Sequence, residues 1–78
     1  MEIINFDFFA RDLTVQRGST VTWVNGDAVP HDATDVDESW GTGTLAQGER
    51  ATLTFDSPGA YQYLCTVHPT MKATLTVV

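Results

Sequence analysis

Thr20-Val21-Thr22-Trp23-Val24-Asn25 alternates residue by residue, which in an extended chain sends Val21 and Trp23 to one face and Thr20, Thr22 and Val24 to the other. A helix would scatter them. The same period of two recurs downstream, where Thr52 to Phe55 puts Leu53 with Phe55 and the strand opening at Gly59 aligns Tyr61, Tyr63 and Cys65. Threonine, valine and isoleucine make up 22 of the 78 residues, in short segments separated by glycine, proline and aspartate, which favours strands over helices. Glu2 to Phe6, Leu13 to Val15, His31 to Thr34 and Lys72 to Val77 complete about seven short strands. Turn residues at Arg17-Gly18, Asn25-Gly26-Asp27, Gln47-Gly48 and Ser57-Pro58-Gly59 are closely spaced enough to predict an all-β, antiparallel sandwich. Asp35 to Gly43 reads as a loop whose Trp40 ring packs back onto the sheet.

A length of 78 residues predicts one domain, 1–78, that buries only about 60 % of its unfolded surface and gains from a staple. The single cysteine, Cys65, excludes an intramolecular disulfide and a zinc cage of several thiolates. The net charge of −6 repels phosphate backbones and anionic bilayers, so no nucleic-acid partner is expected. No run of about 18 apolar residues is present, so no membrane insertion is expected. Met1-Glu2-Ile3-Ile4 has neither the basic segment nor the apolar stretch of a secretory signal, which leaves a cytoplasmic chain or a processed form with a new start.

The chemistry is concentrated in Cys65-Thr66-Val67-His68-Pro69-Thr70-Met71, at the expected end of the sixth strand. A thiolate, an imidazole and a thioether lie within seven residues, and a second imidazole, His31, opens an upstream strand after Val29-Pro30. Two imidazoles, one thiolate and a weak axial thioether suit a copper ion that cycles between Cu(I) and Cu(II). Zinc gains little from the methionine. Taken singly, Cys65 is more simply a small buried hydrophobe, Met71 a gap-filler and each histidine a satisfied polar group. The coincidence weighs against this, because one hypothesis uses the only cysteine, both histidines and the only methionine besides Met1. Pro69 stiffens the intervening loop.

With Leu13-Thr14-Val15, Gly18, Thr20 to Asn25, Val29-Pro30-His31, Pro58-Gly59, Tyr61 and Tyr63 added, the pattern resembles the small blue-copper proteins, the cupredoxins. The Cys-x2-His-Pro-x-Met loop is most similar to that of amicyanin, plastocyanin having a longer gap before the methionine. The resemblance implies a Greek-key β-sandwich with one type 1 copper held by His31, Cys65, His68 and Met71, in an extracytoplasmic, periplasmic electron carrier. The chain is shorter than typical members, the deficit falling in the N-terminal strands and around Asp35 to Gly43. Asp32 stands where the relatives often carry asparagine. That change bears on the side-chain tie that joins the two ligand loops in the relatives, while the Asp32 backbone N–H can still donate to the Cys65 sulfur. Leu64 replaces a tyrosine that serves plastocyanin as a second electron port.

The expected function is therefore single-electron shuttling without catalysis of its own, by a monomer that docks a redox partner protein. His68 is the expected port, ringed by Val29, Pro30, Val67, Pro69 and Phe8 or Phe9. A copper carrier or store would need the same ligands, but an enclosed Cys65 argues for retention. A thiol enzyme lacks a recognisable oxyanion constellation, and a metal-free adhesion module leaves the donor coincidence unexplained. Asp27, Asp32, Asp35, Asp37 and Glu38 form an acidic stretch without a base. It reads either as a solvated loop or as a surface that steers a basic partner.

Overall fold

The structure, a computed structural model, describes residues 1–9 and 11–78. Among these the chain forms eight strands and no helix: β1 (Glu2–Ile4), β2 (Asp7–Phe9), β3 (Asp12–Val15), β4 (Ser19–Asn25), β5 (Thr34–Asp35), β6 (Arg50–Phe55), β7 (Gly59–Leu64) and β8 (Lys72–Val77). They make two four-stranded sheets, ordered β2-β1-β4-β6 and β3-β8-β7-β5. From β3 to β7 each strand lies in the opposite sheet from its predecessor. The expected antiparallel sandwich therefore carries two parallel pairs, β1 with β4 and β3 with β8, each formed by strands distant in sequence.

The predicted alternation places the core. Val21, Trp23 and Asn25 of β4 point inward, as do Ala73, Leu75 and Val77 of β8 and Phe55 of β6. Trp40 lies in the loop after β5 and packs back as expected, its ring 5.6 Å from Trp23, 5.1 Å from Phe55 and 5.5 Å from Tyr63. Phe8 meets Tyr63 edge-on at 5.0 Å. Such pairs each add about 0.5–1.5 kcal/mol beyond their buried area, which matters in a domain this small.

Two expected strands are different in the structure. Glu2 to Phe6 is not one strand: β1 stops at Ile4, and Asn5 and Phe6 turn the chain into β2 with φ of +53° and +57°. Ile4 pairs with Asp7, so this is a two-residue hairpin with both central residues left-handed, a conformation normally left to Asn-Gly. His31 to Thr34 is not a strand either. His31 makes an isolated bridge to Leu45, and the strand proper is only Thr34–Asp35. The backbone between them turns to other partners: the Ala33 N–H donates to Thr42 Oγ1 at 3.0 Å and the Asp32 carboxylate reaches across to the next ligand loop.

Candidate metal centre

Adjacent antiparallel strands β7 and β8, in register at Leu64 and Lys72, fix the ends of the loop that carries three of the expected donors. Cys65 is the first residue after β7 and Met71 the last before β8. The Cys65 N–H donates to the Met71 carbonyl at 3.1 Å and the Met71 N–H to the His68 carbonyl at 2.9 Å. Both Cys65 and Met71 are buried, and His68 is half-buried. His31 comes from the link between β4 and β5 and is locked by two backbone bonds with Leu45, at 3.1 and 2.7 Å. It is fully buried.

These elements converge. The ligating atoms of His31, Cys65 and His68 lie within 4.8 Å of one another, and His31 Nδ1 is 3.6 Å from the Cys65 sulfur. The Nδ1 of His68 is buried and has no hydrogen-bond partner among the described residues. A polar atom in that condition costs about 1–3 kcal/mol, and coordination by a metal removes the cost. The donor set and the orphaned nitrogen fit a soft copper ion. Met71 packs into the same buried cluster as Cys65.

Burial pushes the Cys65 thiol up, and the Asp32 carboxylate adds to that, while the backbone N–H groups of Asp32, His68 and Val67 directed at the sulfur pull it down. The neutral thiol is therefore the resting form of the empty site, and metal binding releases its proton.

The side-chain tie between the two ligand loops is kept at Asp32. Its carboxylate accepts from the Thr66 N–H and the Thr66 hydroxyl, both at 2.8 Å, and from the Thr34 hydroxyl at 2.7 Å. An acceptor-only group does here what an amide oxygen would do. Burial raises the Asp32 carboxyl, but those hydroxyls, with the Cys65 thiol and the Thr66 N–H, outweigh it and hold the group below the ordinary carboxylate range.

The acidic stretch also changes meaning. Asp27 accepts from His31 Nε2 at 2.8 Å and Asp35 from the Ser39 hydroxyl at 2.5 Å, so with Asp32 three of its five acids are committed to internal bonds. Asp37 and Glu38 are exposed. Around His68 the aromatic neighbour is Phe6, at 4.8 Å edge-on, which also meets His31 at 5.4 Å. Neither expected candidate takes that place: Phe8 is buried against Tyr63, and Phe9, though exposed, makes no aromatic contact with His68 among the described residues. Phe6 and Val67 are both about half exposed, at 52 % and 48 %. Sequence reading missed Phe6 because its turn lacks glycine, and missed Asp27 because a loop carboxylate four residues before a histidine looks solvated.

Residues 1–78 match the family model described as copper binding proteins, plastocyanin/azurin family. The chain belongs to that family. This blue-copper relative is 35 % identical to amicyanin of Paracoccus denitrificans over 82 residues, 99 % of this chain and 63 % of that protein. It superposes on a reduced single-residue mutant of amicyanin with a TM-score of 0.92 at 29 % identity, covering 99 % of this chain and 78 % of that one. It matches a copper-containing nitrite reductase of Thermus scotoductus equally well, at a TM-score of 0.92 and 32 % identity, over 99 % of this chain and 21 % of the reductase. The chain thus spans less than two thirds of the Paracoccus amicyanin and about a fifth of the reductase. Copper is the cofactor of the family, and the cupredoxin sandwich is the fold of this copper-binding chain.

Proposed function

We propose that residues 1–78 act as one copper domain that carries single electrons, with His31, Cys65, His68 and Met71 as ligands and no reaction of its own. The observation that supports it is the convergence of three soft donors within 4.8 Å, two of them on backbone locked before any metal arrives. Copper, when bound, supplies the Cu(I)/Cu(II) couple. The protein supplies a site that rearranges little between the two states. His31 is bridged through its backbone to Leu45, Cys65 directly follows β7, and the Asp32 carboxylate joins their two segments. His68 is the port, because it alone of the four is half-buried and it is bordered by exposed Phe6 and Val67.

This reading includes brief docking of a redox partner by a monomer in an extracytoplasmic, periplasmic setting. Steering of a basic partner falls to Asp37 and Glu38, since the other acids of that stretch are occupied. Enclosure of Cys65 argues against a carrier or store that must release copper. A second reading keeps the chemistry and changes the setting: the match to a fifth of a nitrite reductase favours a redox domain within a longer enzyme.

The test is addition of Cu(II) to the metal-free protein and to Cys65→Ser. The native chain is expected to give the intense visible absorption of a thiolate-copper bond, and the variant to fold without it. A blue colour retained in Cys65→Ser would overturn the assignment.

A further inference from the structure

One carboxylate serves two halves of the copper site. Asp27 Oδ1 accepts from the Asn5 N–H at 2.8 Å, and Oδ2 accepts both from the Phe6 N–H at 3.0 Å and from His31 Nε2 at 2.8 Å. The Asp27 side chain is only 13 % exposed and His31 not at all. Its own position is fixed: the Asp27 N–H donates to Asn25 Oδ1 at 2.9 Å, while Asn25 Nδ2 donates to the carbonyls of Val29 and Leu45 at 2.9 and 2.8 Å. Leu45 is the residue that bridges to His31.

We propose that Asp27 is a positioning residue for copper, a carboxylate latch that sets the metal-facing nitrogen of His31 and seats Phe6 against His68. The proposal rests on the reading of His31 as a ligand. A carboxylate only accepts, so Nε2 must carry hydrogen, and in the neutral ring Nδ1 then presents its lone pair toward Cys65. The wrong tautomer would set two acceptors face to face. A negatively charged acceptor also makes the imidazole a stronger donor, as carboxylate partners of metal-bound histidines do, and it favours the more highly charged copper state. At the other end the same group accepts the two turn amides that Asn5 and Phe6 expose in their left-handed conformation. A non-glycine residue such as Phe6 holds that conformation only when its surroundings impose it. Placed there, the Phe6 ring lies edge-on to both imidazoles.

Asp27→Asn, Asp27→Ala and Phe6→Ala separate the parts. The Asn amide can still accept from His31 and Phe6 but has no charge, and it must turn a donor toward Asn5. Each variant is titrated with Cu(II) and with Cu(I) against chelators, its reduction potential is measured, and the His31 ring nitrogens of the metal-free protein are followed by NMR. Asp27→Ala is expected to lose about 10–100-fold in Cu(II) affinity and less in Cu(I) affinity. Each tenfold difference raises the potential by about 59 mV. His31 in the metal-free protein should become a mixture of tautomers, and the contact between Phe6 and His68 should disappear. Asp27→Asn should keep the tautomer and show a smaller rise in potential. Phe6→Ala should shift His68 resonances and leave the His31 tautomer alone.

Unchanged affinities, potential and His31 resonances in Asp27→Ala would overturn the proposal and leave Asp27 as a turn cap. So would Phe6→Ala reproducing the full loss of Cu(II) affinity. If Asp27→Ala does not fold, Asp27→Asn decides the matter by its potential. Failure of the native protein to bind copper through Cys65 would count against the ligand assignment itself, a result separate from any of these.

Discussion

His31 and His68 face one sulfur from opposite circumstances. His31 is enclosed, its backbone bridged to Leu45 and its outer nitrogen held by Asp27. His68 sits in a loop, half-buried, with its inner nitrogen unpaired among the described residues and a half-exposed aromatic ring beside it. The first is a ligand that the fold makes. The second is a ligand that the metal completes, and this division lets one site hold copper firmly and still present an edge to a partner.

The largest test concerns copper itself. A metal bound only by the folded state adds RT ln(1 + [L]/Kd), about 4 kcal/mol at a thousandfold excess over Kd. The copper-loaded protein should therefore melt well above the metal-free form, and equal melting temperatures would mean that the loop half is complete without metal. Next come the two histidines in the metal-free protein. His31→Ala leaves a cavity and takes one donor from a largely buried carboxylate, so it should cost about 3 kcal/mol in denaturant unfolding. His68→Ala should cost under about 0.5 kcal/mol, because the loss of its ring contacts with Phe6 and His31 is offset by removal of an unpaired buried nitrogen. Equal costs would erase the distinction.

Asp32 gives a finer comparison because it spans both segments. Asp32→Ala strands the Thr66 N–H and two hydroxyls, a loss of about 1–2 kcal/mol, whereas Asp32→Asn should recover most of it through its amide oxygen. The smallest effect is on acid stability. The Asp32 carboxyl is held below the ordinary range in the fold, so its stabilisation is complete above the unfolded value of about 3.9 and declines as pH falls through the lower folded value. Thermal melting of the metal-free protein should be level from about pH 5 upward as far as this group is concerned. It should fall below about pH 4, more shallowly in Asp32→Asn. An identical acid limb in that variant would place the titrating group elsewhere.

What was legible follows the range of the interactions. Val21, Trp23, Leu75 and Val77 reveal their face by alternation, a local property. Cys65, His68 and Met71 reveal themselves because soft donors are scarce and crowd one loop, and His31 because it completes their set. The turn at Asn5 and Phe6 was not legible, since its left-handed residues are stabilised by a carboxylate on another segment rather than by a glycine. Asp27 and Asp32 looked like solvated charge for the same reason: their partners are Asn5, Phe6, His31 and Thr66, and no nearest-neighbour pattern announces them. The parallel pairing of β3 with β8 was hidden likewise, because it depends on the order in which distant strands enter a sheet.

That pairing has a consequence for how the protein comes into being. β8 runs between β3 and β7, in register from Asp12 opposite Thr74 to Val15 opposite Val77. During synthesis β3 waits through most of the chain for its partner, and contacts of such separation form slowly. Until Lys72–Val77 has left the ribosome, Cys65 and Met71 share no frame and their sheet has no centre. A domain without β8 accordingly leaves the Cys65 thiol with no neighbouring strand to close its loop, so these six residues decide whether the site can form at all.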